Sequence, residues 1–243
     1  MINLTYASYS GSGGRPYNED YLRMRSFEGN SLFALADGLG GLGHGELASL
    51  TAVESVISRF TWEGVHRDFL ADAMETAQGA VRYKQEEYPE THDMSSTLVM
   101  LLLTRGQAQW AHIGDSRVYF FRKGKLKART ADHSVPQMLV QLGELAPEEI
   151  RHHPDRDKLL RSLGRPWKSE REYEVSEPVV CESGDAFLLC SDGFWEYITE
   201  EDMARCLKRS GDAVSWLRKM LQIAEPEEAE PGHDNISAIC VRV

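Results

Sequence analysis

Aspartate recurs beside glycine or serine where apolar runs stop. Leu35-Ala36 leads into Asp37-Gly38, His112-Ile113 into Gly114-Asp115-Ser116, and Leu189-Cys190 into Ser191-Asp192-Gly193. A related pattern, Gly232-His233-Asp234-Asn235, stands just before the apolar run that closes the chain. One such aspartate is readily a turn cap, because its side chain accepts hydrogen bonds from nearby backbone N–H groups. Four of them at the ends of strands that share an edge would repel strongly, and divalent cations would relieve the repulsion. The donors are all oxygen, which suits hard cations such as Mg2+ and Mn2+, and no Cys/His cluster competes for zinc. Gly38 would let a backbone carbonyl come close to an ion. Two cations roughly 3.5–4 Å apart can bridge and activate one water for in-line attack on phosphorus. A phosphate also needs a positive partner. Arg15, just ahead of Asn18-Glu19-Asp20, carries a guanidinium able to grip two phosphate oxygens, although its spacing alone reads as that of an ordinary surface arginine.

The elements that must position these residues are legible as periodicity. Residues 31–36, 97–103, 107–113, 118–121, 186–190 and 236–243 read as strands. The run 97–103 is apolar throughout, as a strand buried on both faces would be. Arg105-Gly106 separates it from 107–113, so the two can pair as a hairpin. Leu50, Val53, Ile57 and Phe60 share one helix face, as do Phe69, Ala73, Ala77 and Val81. Thr199 with Asp202 reads as a capping box, and Asp212 as the cap of a helix carrying Val214, Leu217, Leu221 and Ala224. Paired helices, then strands, then helices predict an α+β sandwich. Residues 133–163 mix short helical pieces with His152-His153-Pro154 and read as an irregular flap. The acidic stretch 225–231 reads as a surface loop, and with no repeat or linker the chain reads as one domain, 1–243.

Composition narrows the function class. Of 243 residues, 42% are hydrophobic, enough for a sizeable core. The net charge of −11 and the lack of any Lys/Arg-rich run argue against a nucleic-acid partner. Cys181, Cys190, Cys206 and Cys240 form no CxxC pair and sit among apolar neighbours, as free thiols in a reducing compartment do. The N-terminus lacks the pattern of a signal peptide, and the run 98–103 is too short to cross a bilayer. The expectation is a cytoplasmic monomer with no membrane or nucleic-acid partner.

Taken in order, certain segments resemble the protein phosphatase 2C (PPM) family, and in compactness its bacterial branch. They are Arg15-Pro16-Tyr17-Asn18-Glu19-Asp20, Asp37-Gly38-Leu39-Gly40-Gly41 with Gly45-Glu46-Leu47-Ala48-Ser49, Ser95-Ser96-Thr97, Gly114-Asp115-Ser116-Arg117, Asp132-His133-Ser134, Arg161-Ser162-Leu163-Gly164, Ser191-Asp192-Gly193 and Gly232-His233-Asp234-Asn235. The resemblance implies a four-layer αββα sandwich of two antiparallel sheets flanked by helix pairs, with a Mg2+ or Mn2+ centre at one edge. Asp37 would bridge two ions, with the Gly38 carbonyl, Asp192 and Asp234 completing the ligand set. Asp20 and Glu19 would act beside them through water, and Asp115 with Asp192 would hold a third ion. Arg15 would bind the substrate phosphate, Asn235 would orient the loop of Asp234, and His133 and His153 in the flap would touch substrate.

The implied activity is hydrolysis of phosphoserine and phosphothreonine in proteins, opposing a bacterial Ser/Thr kinase. The alternatives are an inactive relative serving as a binding module, or a phosphatase of a partner-switching pathway that controls anti-sigma antagonists. One position departs from the pattern. Some members carry His directly after the Asp-Gly pair as a general acid, whereas this chain has Leu39, and His44 matches poorly. The general acid is left unassigned. His66 and His92 read as surface residues.

Overall fold

A computed structural model describes residues 4–40, 44–224 and 233–243. The acidic stretch 225–231, read above as a surface loop, lies outside them. Two antiparallel sheets dominate. One contains β1 (Thr5–Gly11), β12 (Ile236–Arg242), β11 (Ala186–Cys190), β7 (Arg117–Arg122) and β8 (Lys125–Arg129), in that order. The other runs β10 (Val179–Val180), β6 (Gln107–Ile113), β5 (Leu98–Thr104), β3 (Asn30–Leu39), β2 (Asp20–Phe27), with β4 (Ser95–Ser96) on β3 and β9 (Glu174–Val175) on β6.

Strand periodicity explains the layering. Side chains alternate between faces. Phe33, Leu35, Val99, Leu101, Val118, Phe120, Phe187, Leu189, Ile239 and Val241 therefore meet between the sheets. Their neighbours Leu32, Ala34, Met100 and Leu102 face helices α1 (His44–Glu63) and α2 (Phe69–Glu87). Leu188, Cys190, Ala238 and Cys240 face α4 (Asp192–Trp195), α5 (Glu200–Lys208) and α6 (Ala213–Ala224) on the far side. The outcome is the expected αββα sandwich. Leu98–Leu103 of β5 and all of β11 are apolar on every residue because both of their faces are buried.

The expected hairpin forms, with Leu98 opposite Ile113 and Thr104 opposite Gln107. Thr199 caps α5, its hydroxyl accepting the Asp202 N–H, and the Asp212 carboxylate accepts the Ser215 N–H at the start of α6. Three differences have physical causes. Strands β1, β2 and β8 escape the periodic reading because they lie at sheet edges with Arg, Lys or Ser on exposed positions. β3 runs past Ala36 to Leu39, because Gly38 and Leu39 pair with Ser96 and Ser95. Leu50 is 37% exposed, and the buried face of α1 carries Ala48, Ala52, Val53, Val56, Ile57 and Phe60 instead.

The flap segment holds α3 (Val135–Leu142) and a 3-10 turn at Pro147–His152, tied back by bridges from Ser134 to Leu159 and from Ser96 to Leu163. All four cysteines are free. Among the described residues, no helix is long and apolar enough to cross a membrane.

The layer between the sheets is the element most exposed to truncation. Phe187 stacks on Phe120 at 4.9 Å and is fully buried. Phe187→Ala is expected to lower the unfolding free energy by about 3–5 kcal/mol, against under about 0.5 kcal/mol for Leu50→Ala. Urea unfolding of the two variants checks this, and equal losses would refute the layer assignment.

Candidate active site at the sheet edge

Strand register delivers the aspartates to one edge. Asp20 opens β2 directly opposite Asp37 near the end of β3. Cys190, at the end of β11, lies opposite Ala238 and Arg117, near the starts of β12 and β7. Asp192, Asp234 and Asp115, each just outside those strand ends, therefore collect beside the first pair. A cavity of about 920 Å³ opens there, lined among others by Arg15, Glu19, Asp37, Gly38, Asp115, Asp192, Asp234 and Asn235. Asp20 is buried behind it.

Polar side chains brace this edge. The Ser191 hydroxyl donates to Asp20 Oδ2 at 2.8 Å and accepts the Ser237 N–H at 3.0 Å. Thr97 Oγ1 accepts the Asp37 N–H at 2.9 Å and lies 2.7 Å from the Ser116 hydroxyl. Asn235 accepts the Glu19 N–H and donates to the carbonyls of Ser12 and Tyr17, so it pins the start of β12 to the loop that carries Arg15. Arg15 Nη2 reaches Asp234 Oδ2 at 3.0 Å. Gly38 is required for a reason absent from the sequence: a Cβ there would sit 1.9 Å from the Gly45 carbonyl oxygen, where α1 begins.

Crowding leaves an electrostatic mark. Burial, and after it the neighbouring carboxylates, hold Asp37 well above the usual aspartate range. Burial does the same to Asp20 and Asp115. Burial and the nearby Asp234 charge raise Asp192 from 3.8 to about 6. Asp20 Oδ1 is buried with no hydrogen-bond partner among the described residues. Repelling oxygen donors and an orphaned carboxylate oxygen are what hard divalent cations satisfy, so the residues present fit Mg2+ or Mn2+. Among the described residues, the trio of His, Cys, Asp or Glu with ligand atoms within 4.8 Å of one another is His112, His133 and Glu174, and no aspartate trio is that tight. An ion at the edge would then take one or two carboxylates, with water completing its shell, as Mg2+ prefers.

The two flap histidines sit elsewhere than at the cavity wall. His133 does not line the cavity: it is buried, its ring stacks on His112 at 4.8 Å, and burial pushes its pKa down to about 3. The preceding residue, Asp132, is also buried and pairs with Arg117. His153 lines a smaller neighbouring cavity with Arg151, Arg156 and Tyr197. His44 lies 3.5 Å from Asp93, and among the described residues no histidine lines the main cavity. One cation went unread in the sequence. Arg156, in the flap, lines the cavity with Asp157 and Leu159, pairs with Glu196 and acts electrostatically on Asp192. No spacing signal marks it.

The fold is an αββα sandwich, and one edge of its sheets gathers oxygen donors of the kind that hold hard cations. A sequence model of the protein phosphatase 2C family matches residues 14–236. The chain is 33% identical over 248 residues to the serine/threonine protein phosphatase PstP of Mycobacterium tuberculosis, covering 99% of this chain and 45% of that protein. It therefore spans about half the length of this curated relative. It is 30% identical to the serine/threonine phosphatase stp of Listeria welshimeri, over 93% of this chain and 90% of that one. The crystal structure of the M. tuberculosis PstP/Ppp phosphatase superposes with a TM-score of 0.85 at 30% identity, covering 100% of this chain and 99% of that one. A PstP catalytic domain in complex with two manganese ions gives a TM-score of 0.82 at 28% identity, covering 100% and 99%. The chain belongs to the protein phosphatase 2C family.

The raised aspartates set a sign for stability. A carboxyl whose folded pKa exceeds its unfolded one binds its proton more tightly when folded, so stability falls as pH rises through that window. For Asp192 the window runs from 3.8 to about 6. Chelated protein is expected to melt higher at pH 5 than at pH 7, with Mn2+ erasing the difference. Asp192→Asn should raise the melting temperature of chelated protein at pH 7, and a lower value would contradict the repulsion argument.

Proposed function

We propose that the chain is a metal-dependent phosphatase acting on phosphoserine and phosphothreonine in proteins. The observation that carries this reading is the gathering of Asp20, Asp37, Asp115, Asp192 and Asp234 from both sheets beside one cavity, with Arg15 at its exposed rim. Asp37, the Gly38 carbonyl, Asp192 and Asp234 would hold two ions, with Asp20 and Glu19 acting beside them through water and Asp115 with Asp192 holding a third. Mg2+ or Mn2+ bound there would supply Lewis acidity and an activated water.

The chain's own residues supply the rest. Arg15 is aimed across the cavity by Asp234, and its planar fork suits two phosphate oxygens. Asn235 fixes the loop from which Arg15 projects. Arg156 adds a second positive group on the flap side. Leu39 has no proton to give, so the leaving serine or threonine oxygen draws its proton from a group other than a histidine at the cavity wall. Phosphorylated proteins are the substrates, a cognate Ser/Thr kinase is the natural opponent, and the protein acts as a cytoplasmic monomer. No carboxylate of the set is missing, which disfavours the inactive binding module.

Hydrolysis of a phosphothreonine peptide is expected to require Mn2+ or Mg2+, to stop with EDTA and to be abolished in Asp192→Ala. Folded wild-type protein with no turnover at any metal concentration would sink this reading. Arg15→Ala is expected to raise KM for the peptide by about tenfold or more through loss of a charge-assisted bidentate contact, with a smaller effect on kcat. An unchanged KM would remove Arg15 from the phosphate site.

A further inference from the structure

His112, His133 and Glu174 form a cluster apart from the cavity, and its hydrogen bonds show what it does. His112 Nε2 lies 2.8 Å from the Ala131 carbonyl and so carries the proton of that ring. The Gly114 N–H donates to His133 Nδ1 over 3.2 Å. Nδ1 therefore carries the lone pair, and neutral His133 bears its proton on Nε2, 3.5 Å from Glu174 Oε1. A protonated Nε2 cannot ligate a cation, so the trio as arranged is not a metal site.

The same residue grips Gly114 twice, because its backbone N–H also donates to the Gly114 carbonyl at 2.9 Å. Gly114 has φ +96°, and a Cβ there would lie 2.6 Å from Thr97. The turn from His112 to Val118 is thus tight, and residues 130–133 brace it at both ends. Arg117 donates twice to buried Asp132, at 2.7 and 2.6 Å. Val118 N–H donates to Thr130 Oγ1 at 3.0 Å. Asp115 sits in the middle of the braced turn, its carbonyl held by Trp195 Nε1 at 3.0 Å.

We propose that His133 is a positioning residue for Asp115, acting through Nδ1 on the Gly114 N–H and touching neither substrate nor ion. The proposal rests on the reading of Asp115 as a cation ligand. Without the ring, a buried N–H loses its acceptor beside a left-handed glycine, and the turn no longer fixes where the Asp115 carboxylate points. Because α3 begins two residues further on, the same brace anchors the root of the flap.

Asparagine places an amide oxygen near the position of Nδ1, whereas glutamine places one near Nε2. The test is the Mn2+ binding isotherm, read from the electron paramagnetic resonance of free Mn2+, for wild type, H133N, H133Q and H133A. Asp115→Asn marks the component that depends on Asp115. H133N is expected to keep that component within about twofold, while H133Q and H133A weaken it by about fivefold to tenfold, the worth of one hydrogen bond. The other components should not move. If H133A does not fold, the asparagine–glutamine pair decides. H133Q resembling wild type while H133N is weakened would move the role to Nε2 and overturn the proposal, as would equal affinities in all variants. An isotherm from which Asp115→Asn removes nothing would overturn it differently, by refuting Asp115 as a ligand. Wild type without metal-dependent hydrolysis would instead refute the phosphatase reading.

Discussion

Mutual repulsion among buried carboxylates is the constraint around which this molecule is arranged. Asp20 faces Asp37 across two paired strands, Asp115 and Asp234 arrive from the segments just before β7 and β12, and Asp192 from the start of α4. Burial makes the charges of Asp20, Asp37, Asp115 and Asp192 harder to keep, and proximity makes them harder still. Such a group persists only where the surrounding structure leaves it no alternative. Here that structure is two sheets whose central strands are buried on both faces, so their ends cannot shift without disturbing three packed layers.

The bracing is mostly polar and mostly short in reach. Ser191 holds Asp20, Thr97 holds the backbone of Asp37, and Asn235 joins the last strand to the Arg15 loop. Arg117 lies wholly inside, paired with Asp132 and stacked 3.4 Å from the ring of Trp195. Burial costs such a cation much of its hydration, and the bidentate Asp132 carboxylate, the Tyr119 hydroxyl and the Trp195 ring together offset that cost. The cavity itself carries few positive groups. Arg15 enters from the N-terminal loop and Arg156 from the flap, so two separate segments bring cations to an otherwise acidic rim.

Much of this was readable from the chain. The runs 107–113 and 186–190 coincide with β6 and β11, and the apolar character of 97–103 anticipated a strand with no solvent face. The aspartates were readable because each sits at a break in such a run. Strands β1, β2 and β8 were not, since half-exposed edge strands mix charged and polar residues with apolar ones. Leu50 was misplaced because a spacing of three and four fits more than one stripe around a helix.

The sequence by itself determined the buried strands and the main helices, the aspartates at the strand ends and the family. Local periodicity encodes burial, and the ordered motifs encode chemistry. Tertiary structure alone decided which residues reach the cavity. It turned His133 inward onto Gly114, brought Arg156 to the rim, and made Gly38 obligatory through contact with Gly45. These outcomes depend on register and packing between segments far apart in the chain, and a one-dimensional spacing holds no measure of that distance.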